Sequence, residues 1–268
     1  MIGAFDSGVG GLTVLKEFLK RLPRYNYIYL GDNARAPYGE KSQEEIFNYT
    51  KEAMDFLFKK GCRLVILACN TASSQALRRL QREYLPKHYP GRRILGVVRP
   101  LVEEMGGKKD IKRIGVIGTR ATISSRVYGI ELSKNDPGLK VFGQSAPLLV
   151  PLIEEGWTKK SEGKKILKSY LRPLKEKRVQ GLIIACTHYP FLYKEIVRIM
   201  GKNCLVDNPG KIVALSLKDY IKRHPELNIR ESNNPRCWFI TTGDAGRFKN
   251  LGEKFLKRKI KNIKKIAL

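Results

Sequence analysis

Short apolar runs recur along this 268-residue chain, separated by longer stretches of helical periodicity. The runs predicted as strands are Ile2–Phe5, Tyr27–Leu30, Leu64–Ala68, Leu95–Val98, Ile114–Ile117, Leu139–Phe142, Leu182–Ala185, Leu205–Val206 and Trp238–Thr241. Between them, "LTVLKEFLKRL" and "EEIFNYTKEAMDFLFKK" place apolar residues at 3.6-residue spacing. Strands that alternate with helices in this way specify parallel sheets covered by helices.

One phrase occurs twice. "VILACNT" at 65–71 and "LIIACTH" at 182–188 are each an apolar strand ending in Ala-Cys, with a threonine within two residues, and the cysteines lie 117 positions apart. The repeat extends backwards, because "IGAFDSG" at 2–8 resembles "IGVIGTR" at 114–120. Asp6 stands 63 residues before Cys69, and Thr119 stands 67 before Cys186. The chain therefore reads as two similar open parallel-sheet α/β domains related by a pseudo-twofold axis. We expect the first from residues 1–95 plus 209–268 and the second from 96–208. The return of the C-terminal segment to the first half rests on the need to complete its sheet. Ligands of open α/β sheets bind beyond the carboxyl ends of strands. Two facing copies would thus enclose one active site between them, with a thiol from each side.

Composition narrows the classes. No run of about 18 apolar residues exists to cross a membrane, and "MIGAFDSGVGG" lacks the basic-then-apolar pattern of a signal peptide, so a cytoplasmic location is the expectation. The five cysteines form no CxxC pair and only three histidines accompany them, which argues against a structural zinc site. Cys62, Cys204 and Cys237 read as small buried hydrophobes. The formal net charge of +27 suggests an anionic partner, and weak, nonspecific nucleic-acid binding is expected from it. The one dense basic run is the tail "KFLKRKIKNIKKIAL". There Phe255, Leu256, Ile260, Ile263 and Ile266 recur among lysines, as in an amphipathic terminal helix.

The residues after each cysteine carry chemistry. Asn70 and Thr71 follow Cys69, and Thr187 and His188 follow Cys186, with Pro190 suited to a first helical turn. Each thiol is thus expected just before a helix N-terminus, where free N–H groups stabilise a thiolate or bind a carboxylate. "FDSGVGG" places Asp6 and Ser7 after the first strand, ahead of glycines. Thr13 replaces the third glycine of a dinucleotide fingerprint, so we read those glycines as letting backbone N–H groups approach a small anion. Asp6 also reads as a simple helix cap. In "GDNARAPYGEKS", Tyr38 and Gly39 are placed to line a pocket, and Ser42 with Glu45 has capping-box spacing.

Together "FDSGVGGLTVL", "GDNARAPYGEKS", "ACNTAS", "IGVIGTRATI", "PLIEEG", "ACTHYPFL" and "TTGD" with "RF" beyond it resemble the cofactor-independent aspartate/glutamate racemase family, its glutamate branch in particular. The resemblance covers nearly the whole chain. It implies an isomerase that interconverts L- and D-glutamate without cofactor or metal, supplying D-glutamate for peptidoglycan. It implies Cys69 and Cys186 as the acid/base pair, Asp6 assisting one thiol, and His188 and Glu154 assisting the other. Substrate contacts fall by resemblance on Asp6, Ser7, Tyr38, Gly39, Asn70, Thr71, Thr187 and His188. Glu155 stands beside Glu154 as the competing choice. The resemblance allows a homodimer. It departs at Ala146, where a cysteine is frequent in the family, and at Arg99, where an uncharged or acidic residue is expected.

Two thiols suit such a reaction. Racemisation takes a proton from one face of the α-carbon and returns one to the other, so it needs a base and an acid on opposite sides. The rival readings are a racemase of aspartate or another amino acid on this scaffold, and a nucleic-acid- or gyrase-binding protein that keeps the fold.

Overall fold

The computed structural model describes residues 1–268. Its strands are β1 (Ile2–Asp6), β2 (Tyr27–Gly31), β3 (Leu64–Leu67), β4 (Arg93–Gly96), β5 (Arg113–Gly118), β6 (Lys140–Ser145), β7 (Gly181–Ala185), β8 (Leu205–Val206), β9 (Cys237–Thr241) and β10 (Ile263–Lys265). They form two sheets, in the orders β10-β9-β2-β1-β3-β4 and β6-β5-β7-β8. Every pairing is parallel. The segment β2-β1-β3-β4 and the whole second sheet share one connectivity. Ile2 of β1 lies between Tyr27 and Leu64, and Ile114 of β5 lies between Val141 and Gly181. The two phrases similar in sequence are therefore the central strands of two like sheets, and each cysteine follows the strand beside the centre.

β1, β3 and β7 are buried along their whole length. That is the condition of parallel strands with helices on both faces, and it explains runs that are apolar throughout instead of alternating. Helix 12–21 turns Leu12, Val14, Leu15 and Phe18 inward. Against it lies helix 209–223, started by Pro209 and capped by Asn208, which also touches helix 98–106 of the second half. The largest apolar cluster runs through both sheets, from Ile2 and Phe18 to Ile117 and Leu182. The halves thus share a core instead of meeting only at a wet surface.

Three sequence expectations shift. β4 begins two residues early and ends at Gly96, because Val97 and Val98 bury themselves at the start of helix 98–106. The helical run after Cys69 is interrupted by a π-turn at Leu80–Tyr84. It lies just ahead of Pro86, which has no N–H to continue the ladder. The basic tail is not one helix: helix 245–256 stops where Lys257 turns left-handed, and Ile263–Lys265 pairs with β9 as an edge strand. Ile260 still fills a core position, against Gly252, as an apolar residue of the connecting loop. Lys264 and Lys265 on an edge strand discourage pairing with another chain.

Ser42 and Glu45 form the expected reciprocal capping box at the start of helix 43–59. Replacing Ser42 by Ala should cost about 1 kcal/mol of stability. In urea unfolding, the midpoint should fall while the slope stays the same.

Candidate active site

The carboxyl ends of the two sheets face each other across a cavity of about 660 Å³, a volume suited to a small ligand. Cys69 and Cys186 both line it, together with Ser7, Tyr38, Gly39, Asn70, Thr71, Glu154, Thr187 and His188. Asp6 stands one layer behind. It is fully buried, and its carboxylate accepts hydrogen bonds from the Gly8 N–H at 3.0 Å and the Thr187 hydroxyl at 3.2 Å. It does not cap helix 12–21, whose first residue follows Gly11 with no side-chain cap.

Of the glycines after Asp6, Gly8 lines the cavity, and Gly10 and Gly11 serve close packing. A Cβ on Gly10 would collide with the Thr187 hydroxyl and the His188 ring, and one on Gly11 would lie 2.5 Å from the Cβ of Asp6. The turn is glycine-rich so that the first half can press against the thiol-bearing loop of the second. Thr13 completes the clasp by donating to the Thr187 carbonyl at 3.0 Å.

The two thiols sit in unlike settings. Cys69 is the N-cap of helix 70–75, as expected, and its sulfur accepts the Ala72 N–H at 3.5 Å. The Ser7 hydroxyl lies 3.5 Å from the same sulfur. Burial, and then the negative charge of Asp6, push the Cys69 thiol up to about 12 against these helping contacts. Asp6 therefore acts on this thiol through its field and not through a direct hydrogen bond. Burial likewise raises the pKa of Asp6 itself.

Cys186 precedes a 3₁₀ turn, Tyr189–Leu192, by three residues, so it lacks the direct cap position. Its neighbour is a charged chain instead. His188 Nε2 lies 3.0 Å from Glu154 Oε1, and Arg247 reaches Glu154 Oε2 at 3.2 Å. Burial alone would lower the pKa of His188. Contacts with Cys186 and Glu154 outweigh it and raise the ring to about 10. In the same way burial would raise Glu154, but His188 and Arg247 hold it below the usual carboxylate range. Glu155, the competing choice, is exposed and touches only Arg247, at 3.5 Å. Arg99 points to solvent and pairs with Glu103, so it plays no part in the cavity.

The far wall is built of hydroxyls and an amide. Thr71 and Thr119 oxygens are 2.9 Å apart, and both contact Thr122. Gly39 must be glycine here, since a Cβ would lie 2.7 Å from that of Thr119. The Tyr38 hydroxyl is committed to Asp32, which also accepts Thr242 and Arg35, each at 2.7 Å. Tyr38 thus meets the cavity with its ring. Sequence reasoning gave no role to Thr119, Arg120 or Arg247, all on the wall. Their signal lay in "IGVIGTRATI", which marked the repeat and the family, and in the "RF" after "TTGD", which marked the family.

Two like halves that each deliver a strand-end thiol to one polar cleft define an amino-acid racemase architecture. Comparison with known proteins agrees. The Asp/Glu/hydantoin racemase family model matches residues 11–208. A glutamate racemase of Ruegeria pomeroyi is 39% identical over 97% of both chains. Among solved structures, a glutamate racemase isoform of Bacillus anthracis superposes with a TM-score of 0.93 at 31% identity, covering 100% of this chain and 97% of that one. The glutamate racemase of Francisella tularensis in complex with D-glutamate gives 0.89 at 30% identity, covering 99% and 97%. The chain belongs to the Asp/Glu/hydantoin racemase family, and within that family its resemblance is to the glutamate racemases.

The His188 pair makes a pH-dependent contribution to stability. Its folded pKa of about 10 exceeds the reference value of 6.5. The contribution is therefore complete below that reference and is lost as pH rises through the folded value. The groups facing the ring are Cys186, Glu154 and Asp6, with Phe255 at its edge. In Glu154→Gln the His188 pKa, followed by NMR of the ring, should fall. The variant should also lose less stability than the parent between neutral and alkaline pH.

Proposed function

We propose that this protein interconverts L- and D-glutamate by proton transfer between two thiols, with the D enantiomer serving peptidoglycan synthesis. The observation that carries the reading is that Cys69 and Cys186 reach one cavity from opposite sheets. The glutamate racemases among its relatives, one of them in complex with D-glutamate, supply the substrate. The division into 1–95 plus 209–268 and 96–208 is supported by the membership of the two sheets. Free thiols suit the cytoplasm, and no helix is long and apolar enough to cross a membrane.

The chemistry follows from the two settings. In the resting site Cys69 holds its proton, because burial and the Asp6 charge oppose a thiolate there. Beside Cys186 stands the His188 cation, held in place by Glu154. With Cys69 protonated as the acid, the two-thiol reading makes Cys186 the base. By family resemblance this is the L-to-D direction; the reverse direction starts from the opposite protonation of the pair. As the α-proton leaves, negative charge grows on the α-carboxylate. Amide and hydroxyl donors of the Asn70, Thr71 and Thr187 kind stabilise that charge best in a site that excludes bulk water.

Either Cys69→Ala or Cys186→Ala should abolish racemisation in both directions, a loss of roughly 10²–10⁴-fold or more. Run in deuterated water, the parent enzyme should place deuterium in the product enantiomer first, while unreacted substrate stays protonated. Polarimetry and NMR read the two outcomes. Retained racemisation in either variant, or early deuterium in the starting enantiomer, would sink the two-thiol mechanism.

A weaker association with nucleic acid is proposed beside the enzyme activity. It is supported by a groove between helices 161–176 and 193–200, lined by Lys164, Lys165, Lys168, Arg172, Lys175 and Arg198 against the single acid Glu195. Only Arg172 among these cations has an ion-pair partner, Glu176. Binding of a short duplex should fall steeply between low and physiological salt. Lys165→Glu with Lys168→Glu should weaken it more than Lys59→Glu with Lys60→Glu, which changes the net charge equally. Equal losses in the two double variants would refute a localised site.

A further inference from the structure

Asn70 opens helix 70–75 in the first half, and Tyr128 comes from helix 127–135 in the second. They meet across the cleft. The Tyr128 hydroxyl donates to Asn70 Oδ1 at 2.6 Å, and both residues are buried. It is the one hydrogen bond that either side chain makes. Burial, and then the neighbouring Cys186, push the pKa of the phenol well up, so it remains a donor at any working pH.

A carboxamide has an accepting end and a donating end. With the oxygen of Asn70 held by Tyr128, its Nδ2 group has no protein partner. That nitrogen is not a buried orphan, and Asn70 lines the cavity, so the donating end opens onto the ligand space. The flipped amide would leave the buried phenol hydrogen without an acceptor and would aim Oδ1 at the ligand. A carboxylate would then meet an oxygen where it needs a donor.

We propose that Tyr128 is a positioning residue, which fixes the Asn70 amide from across the domain boundary so that its N–H bonds face a substrate carboxylate. This rests on the reading of the cavity as an amino-acid site. Because the phenol and the amide belong to opposite halves, the donor is oriented only when the halves are together. The same contact selects for a hydrogen-bond acceptor at this position, since Nδ2 offers two hydrogens and no lone pair in the plane.

Tyr128→Phe keeps the ring and removes the hydroxyl. It should lower kcat/KM for glutamate about tenfold, the usual consequence of one oriented hydrogen bond. Asn70→Ala should lower it at least as much. The double variant should be no worse than Asn70→Ala alone, because the hydroxyl then has nothing to orient. A structural role for Tyr128 would instead persist in the Asn70→Ala background, and such additive losses would overturn the proposal. So would an unimpaired Tyr128→Phe enzyme beside an impaired Asn70→Ala enzyme. Asn70→Asp provides a second measurement should Tyr128→Phe fail to fold. It keeps the acceptor for the phenol but replaces the donor, so kcat/KM should fall as far as in Asn70→Ala; retained activity there would also overturn the proposal. An Asn70→Ala enzyme with unchanged kcat/KM would count against Asn70 as a substrate contact, and so against the site reading itself.

Discussion

The arrangement depends on a buried carboxylate. Asp6 ends the central strand of the first sheet with no exposure to solvent, and a charge in that position is tolerated only when its oxygens are hydrogen-bonded. One oxygen is satisfied by its own turn, through Gly8; the other is satisfied by Thr187, in the other half. The carboxylate therefore ties the turn after β1 to the loop that carries Cys186. That tie requires close approach, which is why Gly10 and Gly11 have no side chain between them and Thr187, His188 and Asp6. Moving Asp6 would disturb the field at Cys69 and the position of Cys186 together.

Duplication supplies two thiols at equivalent backbone positions, but not two equivalent thiols. Cys69 has the helix cap and an N–H donor, yet it remains a weak acid, because burial and a nearby carboxylate outweigh a long hydrogen bond. Cys186 lacks the cap and has an imidazolium held by Glu154 and Arg247. The asymmetry gives the proton a resting place. In the proposed two-thiol reaction, a symmetrical pair would leave the site divided between protonation states, each competent for one enantiomer only. Here the neighbours differ: a carboxylate stands near Cys69 and an imidazolium near Cys186.

The sequence disclosed the fold because its evidence is local and repeated. β1, β3, β5 and β7 are runs apolar on both faces, and the copied phrases fall on matching strands of the two sheets. The tail misled because Ile260, Ile263 and Ile266 satisfy helical spacing, while the structure ends the helix at Lys257 and uses Ile263 in an edge strand. Spacing alone does not register a left-handed residue. The cavity was legible where chemistry announces itself, at the two cysteines and the residues that follow them, while Glu154 came only by family resemblance. It was illegible where ordinary residues act by position. Tyr128 has no distinctive neighbours in sequence, and its importance arises from Asn70, more than forty residues away; Thr119 sat in a recognised motif, but its contact with Thr71 is equally remote in sequence. Arg99 shows the converse, a residue odd in sequence that the fold turns to solvent.

The contacts between the halves are graded from the depth of the cleft to its rim. Deep down they are buried and include Thr71 with Thr122, Tyr128 with Asn70 and Thr187 with Asp6. Breaking one leaves a polar group without water or partner, at a cost of about 1–3 kcal/mol. At the rim they are ion pairs with an exposed arginine, Arg247 with Glu154 and Arg120 with Glu40. Exposed pairs of that kind contribute only about 0–1 kcal/mol. Separation of the halves thus starts cheaply at the mouth and becomes costly inward. The rim arginines also lie on the cavity wall, so the first groups met by an approaching dicarboxylate are cations. That order suits the proposed reaction, in which a carbanion is held between two thiols away from bulk water.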